Sequence, residues 1–156
     1  MSFLPEIDRK LTQAAVEDAL ERYRMYKFLI DDEDREASIT AGYNERLHGP
    51  TNTTSDQTAD IAIHNVDKQA KRKSYCDRIE RVVRRMPRME RFLIEERYLT
   101  KEHDYITDYY VYNQVFQPPL SEGKYGKIRW KAFYKLASDL NLLVEKTEQE
   151  CDEGAS

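Results

Sequence analysis

Residues 120–143, LSEGKYGKIRWKAFYKLASDLNLL, constrain this chain more than any other stretch. Tyr125, Ile128, Ala132, Leu136, Leu140 and Leu143 recur at spacings of three and four, which is one face of an α-helix. Lys124, Lys127, Lys131 and Lys135 recur at the same spacings on a separate face. Just upstream lie a short helical segment, 108–116, and a tight break, Gln117-Pro118-Pro119. Helix, short break and basic amphipathic helix is the order of a helix-turn-helix, whose second helix enters the DNA major groove. A lysine stripe is also what an ordinary solvated helix face looks like. The stripe alone therefore offers two readings, contact with a polyanion or contact with water.

Charge is unevenly spread around this stretch. The net charge of -4 hides an acidic N-terminal part, a basic run over 68–101 and a second basic run over 120–135. That asymmetry suggests a polyanion-binding region flanked by acidic parts. Its bland counterpart is a helical bundle whose halves neutralise each other. With 156 residues the chain suits one domain, or a small domain with a helical extension. No stretch approaches the roughly 18 apolar residues of a membrane span, so no membrane partner is expected. MSFLPEIDRK lacks the pattern of a signal peptide. Cys76 and Cys151 fit no metal or redox spacing, so a cytoplasmic protein with reduced thiols is the expectation.

Taken in order, the chain reads as all-α. A first helix runs from Pro5 to Ile30, with Ile7, Leu11, Ala15, Ala19, Tyr26 and Leu29 on one face and Leu20, Met25 and Phe28 widening it. The acids at 31–34 end that helix as a solvated linker, 38–43 reads as briefly extended, and 45–55 as a loop. Thr54 with Gln57 fits a capping box for a long helix reaching Met86. In that helix Ala59, Ile63, Val66 and Ala70 step by four, three and four, a spacing that suits a coiled-coil dimer. Pro87 marks a new helix start, with Met89, Phe92, Leu93, Tyr98 and Leu99 apolar. Thr107 or Asp108 caps the next segment, which carries Val111, Val115 and Phe116 inward. The expected division is an N-terminal helix and flexible acidic linker (1–55), a long connecting helix (56–86), a helix-turn-helix domain (87–144) and a disordered acidic tail (145–156).

If the polyanion reading of the stripe is taken, particular residues follow. Ser121 is the N-cap of the last helix, and residues just after such a cap face base edges. That selects Ser121, Glu122, Lys124, Lys127 and Lys131, since lysine donates to guanine and glutamate accepts from cytosine. Gly123 and Gly126 sit early in this helix, each costing roughly 1 kcal/mol against alanine, and either allow a close backbone approach or leave this turn loose until DNA orders it. Arg84, Arg85, Arg88 and Arg91, together with Lys135, are candidate phosphate contacts. The arginines can equally pair with Glu80, Glu90 and Glu95. Trp130, Phe133 and Tyr134 form an aromatic flank expected to meet the long helix or another subunit. Scattered histidines, no nucleophile–base pairing and no phosphate-binding glycine loop argue against an enzyme, and no cofactor or metal is expected.

A wider pattern joins these residues. Met86-Pro87, Glu90, Leu93-Ile94, Arg97-Tyr98, Tyr110-Val111-Tyr112, Tyr125, Ile128 and the run from Lys131 to Ala137 together resemble the ArpU family of phage transcriptional regulators. The run from Leu4 to Asp8, Glu21-Arg22-Tyr23-Arg24 and residues 58–67 extend the resemblance over most of the chain. The C-terminal part is more distantly similar to region 4 of sigma factors. The resemblance implies a prophage-encoded regulator of late genes, related to RinA-type activators, working in the bacterial cytoplasm on double-stranded DNA with host RNA polymerase. By the sigma-factor analogy, base contacts fall on Glu122, Gly123, Lys124 and Lys127. A homodimer is expected, because one small helix-turn-helix reads few base pairs. Two rivals remain: a DNA-binding packaging protein of small-terminase type, and a helical adaptor that never touches DNA.

Overall fold

The computed structural model describes residues 6–41 and 56–147, and these are helical almost throughout. Five α-helices follow in order: α1 (Arg9–Ala41), α2 (Asp56–Arg84), α3 (Arg88–Arg97), α4 (Asp108–Tyr110) and α5 (Glu122–Leu140). A single 3-10 turn (His103–Tyr105) precedes α4, and α4 runs on into a wider π turn (Val111–Val115). The fold class expected from the sequence is the one observed. Among the described residues, no helix is long and apolar enough to cross a membrane.

Helix α1 starts where Asp8 accepts a hydrogen bond from the backbone N–H of Leu11 at 3.0 Å, an N-cap that satisfies one orphan donor. It then continues past the point where its acidic run was expected to end it. The acids at 31–34 lie inside the helix, and the backbone stays helical through Ala41 instead of turning extended at 38. Nothing in that run forbids helix, and two of its acids find cations on other elements. Glu33 meets Arg72 of α2 at 2.9 Å, and Asp31 lies 3.6 Å from Lys101. The Thr54 capping box and the 45–55 loop lie outside the described residues.

One core joins α1, α2, α3, the π turn and α5. Val16, Leu20 and Tyr23 of α1 pack with Cys76, Ile79, Val82 and Val83 of α2, Leu93 and Ile94 of α3, Val111, and Ala132, Phe133, Leu136 and Ala137 of α5. The buried stripe on α1 is rotated from the expected one by about a residue, some 100° of helix. Leu11, expected inside, is exposed, and Thr12 is fully buried instead. The reason is polar satisfaction. The Thr12 hydroxyl accepts from the Val144 N–H at 3.1 Å, and the Tyr23 hydroxyl donates to Glu80 at 2.7 Å. Residues read as polar from sequence are thus core once their hydroxyls are paired. Burial and the Glu80 bond push the Tyr23 hydroxyl well above its ordinary pKa.

Two further expectations are corrected. Phe133 is not part of a half-covered flank but 0% exposed, at the centre of the core. Trp130, its neighbour in that flank, is covered by α1, with the Arg9 guanidinium 4.9 Å from the ring centre. Residues 145–147 are not part of a loose tail. The backbone N–H of Asp8 donates to the Val144 carbonyl at 2.8 Å and that of Lys146 to the Glu6 carbonyl at 2.9 Å, around an antiparallel bridge between Ile7 and Glu145. The chain arrives there because α5 stops cleanly. Asn141 takes up a left-handed conformation (φ 56°), its N–H and that of Leu142 both returning to Ala137.

Candidate nucleic-acid interface

Ser121 is the N-cap of α5, as expected: its hydroxyl accepts from the Lys124 N–H at 3.2 Å. Glu122 follows in the first turn, where a carboxylate suits the helix dipole. From this start the helix has two sides. Tyr125, Ala132, Phe133, Leu136 and Ala137 face the core. Lys124, Lys127 and Lys131 face outward, and none has a partner among the described residues.

The start of α5 is held in place by Asp108, the first residue of α4. One Asp108 oxygen accepts from the Tyr125 hydroxyl at 2.8 Å and from Arg97 Nε at 3.0 Å, and the other from Arg129 Nη1 at 3.1 Å. One carboxylate thereby ties α3, α4 and α5 together. Burial, reinforced by the bond to Asp108, pushes the Tyr125 hydroxyl far above its ordinary pKa, which keeps it a donor. A ladder of rings supports the same junction. Tyr109, Tyr112 and Tyr125 follow at 5.4 and 5.3 Å, and Phe116 joins Phe92 at 4.9 Å. The connection from α4 to α5, which contains a cis Gln117–Pro118 bond, returns a hydrogen bond from the Leu120 N–H to the Tyr112 carbonyl at 2.8 Å. From the sequence Asp108 was legible as a helix cap, but nothing in its spacing announced its three partners.

The expected phosphate contacts separate into two groups. Lys135 places its ammonium 2.7 and 2.8 Å from the two oxygens of Glu90, a buried carboxylate at the start of α3. Arg85 pairs with Asp139 at 3.4 Å and Arg91 with Glu95 at 2.8 Å. Arg84 and Arg88 are exposed, with no ion pair among the described residues. The Lys135–Glu90 bridge also sets the stage for the free cations. It holds the beginning of α3, with Arg88 two residues away, against α5 one turn after Lys131.

Gly123 and Gly126 have no structural task inside the chain. A Cβ added at either would meet nothing within 4 Å, and neither has a positive φ. Both lie on the same stretch of α5 as Lys124 and Lys127.

Three comparisons bear on what this surface serves. No family model matches the chain, and no solved structure matches it. Over 143 residues the chain is 27% identical to an uncharacterized phage-related protein of Listeria innocua, a match that covers 92% of this chain and 96% of that protein. The likeness runs almost end to end, and it places the chain beside a phage-related protein.

Proposed function

We propose that the chain is a sequence-specific DNA-binding regulator of phage late-gene transcription. In this reading α4 and α5 are a helix-turn-helix, and α5 is the recognition helix. The observation that carries it is the outward lysine face. Three lysines at the capped start of α5 have no counter-ion among the described residues, while nearby cations at Lys135, Arg85 and Arg91 do. A salt-bridged bundle that neutralised itself would have paired both groups.

Other features agree with that reading. Ser121, Glu122, Lys124, Lys127 and Lys131 occupy the positions that face base edges in such a motif. Arg84 and Arg88 supply phosphate contacts on the flank. Glycine at 123 and 126 is costly in a helix and unneeded by the chain's own packing, so its use lies with what approaches from outside. The resemblance to the ArpU regulators supports transcription control, with host RNA polymerase as partner and two copies on the operator, and the whole-chain likeness to a phage-related protein supports a phage setting. Packaging-protein and adaptor readings share the helices but not the demand for a particular DNA sequence.

The test is binding of the purified chain to late-promoter duplex from its own genome, beside random duplex of equal length, over a salt series. Promoter preference with a salt slope near -0.9 per phosphate neutralised is the expected result. Equal affinity for both duplexes would remove sequence-specific regulation and leave packaging. No affinity for either would leave the adaptor.

A further inference from the structure

The N-terminal half of α2 carries an apolar stripe that its own chain leaves bare. Every side chain from 63 to 71 is exposed. Ile63 and Val66, at 62% and 61% exposure, lie on one face with Ala70. The stretch 56–71 alone is about 24 Å of helix at 1.5 Å per residue. Helices in proteins owe most of their stability to an amphipathic face packed on a neighbour. Here the face exists, and no neighbour among the described residues covers it.

Charge says what the neighbour is. Residues 31–36 of α1 hold five acids and one arginine, and residues 68–73 of α2 hold four bases. The two runs stand at the same height, because α1 and α2 are antiparallel and Glu33 meets Arg72 at 2.9 Å. That is the only ion pair between the two runs among the described residues. Asp32, Asp34, Lys68, Lys71 and Lys73 stay exposed and unpaired. A surface that carries an apolar stripe with an acidic and a basic run at one level is complementary to itself, which is what a two-fold interface requires.

We propose that a second copy of this chain covers the stripe, the two α1–α2 arms lying side by side and pointing the same way. A two-fold axis along the arms sets Ile63, Val66 and Ala70 opposite their own counterparts. It also sets the acidic run of each chain level with the basic run of the other. Both α5 helices then lie at the same end of the dimer. The inference deepens the proposed function, which has two copies on the operator, but its residues are not the DNA-contact residues of that reading, so loss of dimerisation and loss of DNA binding are read separately.

Sedimentation of the full chain tests it. The wild-type protein is expected to be a dimer at micromolar concentration. Ile63→Glu with Val66→Glu should weaken it by about 100-fold or more, with helix content unchanged because both positions are exposed. A wild-type monomer, or a dimer indifferent to that change, overturns the proposal. Charge reversal then tests the pairing. Lys68→Glu/Lys71→Glu/Lys73→Glu and Asp32→Lys/Asp34→Lys should each dimerise poorly alone and well when mixed; poor association of the mixture overturns the cross-pairing. Val66→Cys in a Cys151→Ser background should give a disulfide-linked dimer on mild oxidation. A dimer that resists linkage would mean the arms run in opposite directions.

Discussion

In the second half of α5, Lys135 gives its ammonium to Glu90 and Asp139 gathers Arg78 and Arg85, while Phe133, Leu136 and Ala137 fill the core. In the first half, Lys124, Lys127 and Lys131 have no ionic partner among the described residues. Four lysines share one spacing, yet one has a structural partner and three do not. Periodicity places a side chain on a face; it does not say whether another element reaches that face. The difference is made by α3, whose first turn crosses the second half of α5 and leaves the first half open.

The sharpest way to break the comparison is to empty the closed half. Phe133→Ala removes a ring with no exposed surface, and should lower unfolding free energy by about 3–5 kcal/mol in chemical denaturation. A loss under about 1 kcal/mol would mean the core does not centre on Phe133. Next in size is Lys135→Met, which strands the Glu90 carboxylate. A fully buried pair broken on one side costs about 3–5 kcal/mol, but Lys135 is 45% exposed and water can reach the gap, so about 1–2 kcal/mol is expected. Restored stability in Lys135→Met with Glu90→Leu would show that the stranded charge was the cause.

The sequence disclosed the parts of this arrangement that are local. Ser121 and Thr107 as caps, Val111 and Phe116 as inward residues, and the start of α5 follow from spacing and capping chemistry within a few residues, whereas Leu143, expected on the helix face, lies past the left-handed Asn141 that ends α5. The parts that failed are those decided at a distance. Phe133 is core because Tyr98 packs 5.1 Å from its ring, thirty-five positions earlier. Lys135 is structural because Glu90 is buried beside it. Thr12 lies inside because Val144, at the other end of the chain, donates to it. The acidic run at 31–34 stays helical because Arg72 and Lys101 come alongside. Asp108 gathers residues from α3 and α5 that no single-helix pattern connects.

Lys127→Ala probes the open half and should show the opposite profile from Lys135→Met. Its ammonium touches nothing, so unfolding free energy should stay within about 0.5 kcal/mol of wild type. If Lys127 contacts a phosphate, affinity should fall alike for all sequences, with the salt slope reduced by about one. If it contacts a base, discrimination should relax at one position of the operator. Unchanged affinity at every salt concentration would remove Lys127 from the interface.

The substitution that separates stability from DNA contact most cleanly is Gly126→Ala. Alanine in a helix interior is favoured over glycine by about 1 kcal/mol, and the added methyl has open space around it. The variant should therefore be more stable than wild type by up to about that amount. If DNA comes close to the helix at this point, the same methyl stands in its way, and promoter affinity should fall although the fold has gained. Thermal denaturation and duplex titration of one preparation read both quantities. A gain in stability with affinity intact would mean that nothing approaches α5 closely at Gly126, and the contact surface would then be confined to the lysine side chains. A loss of stability would contradict the open space itself.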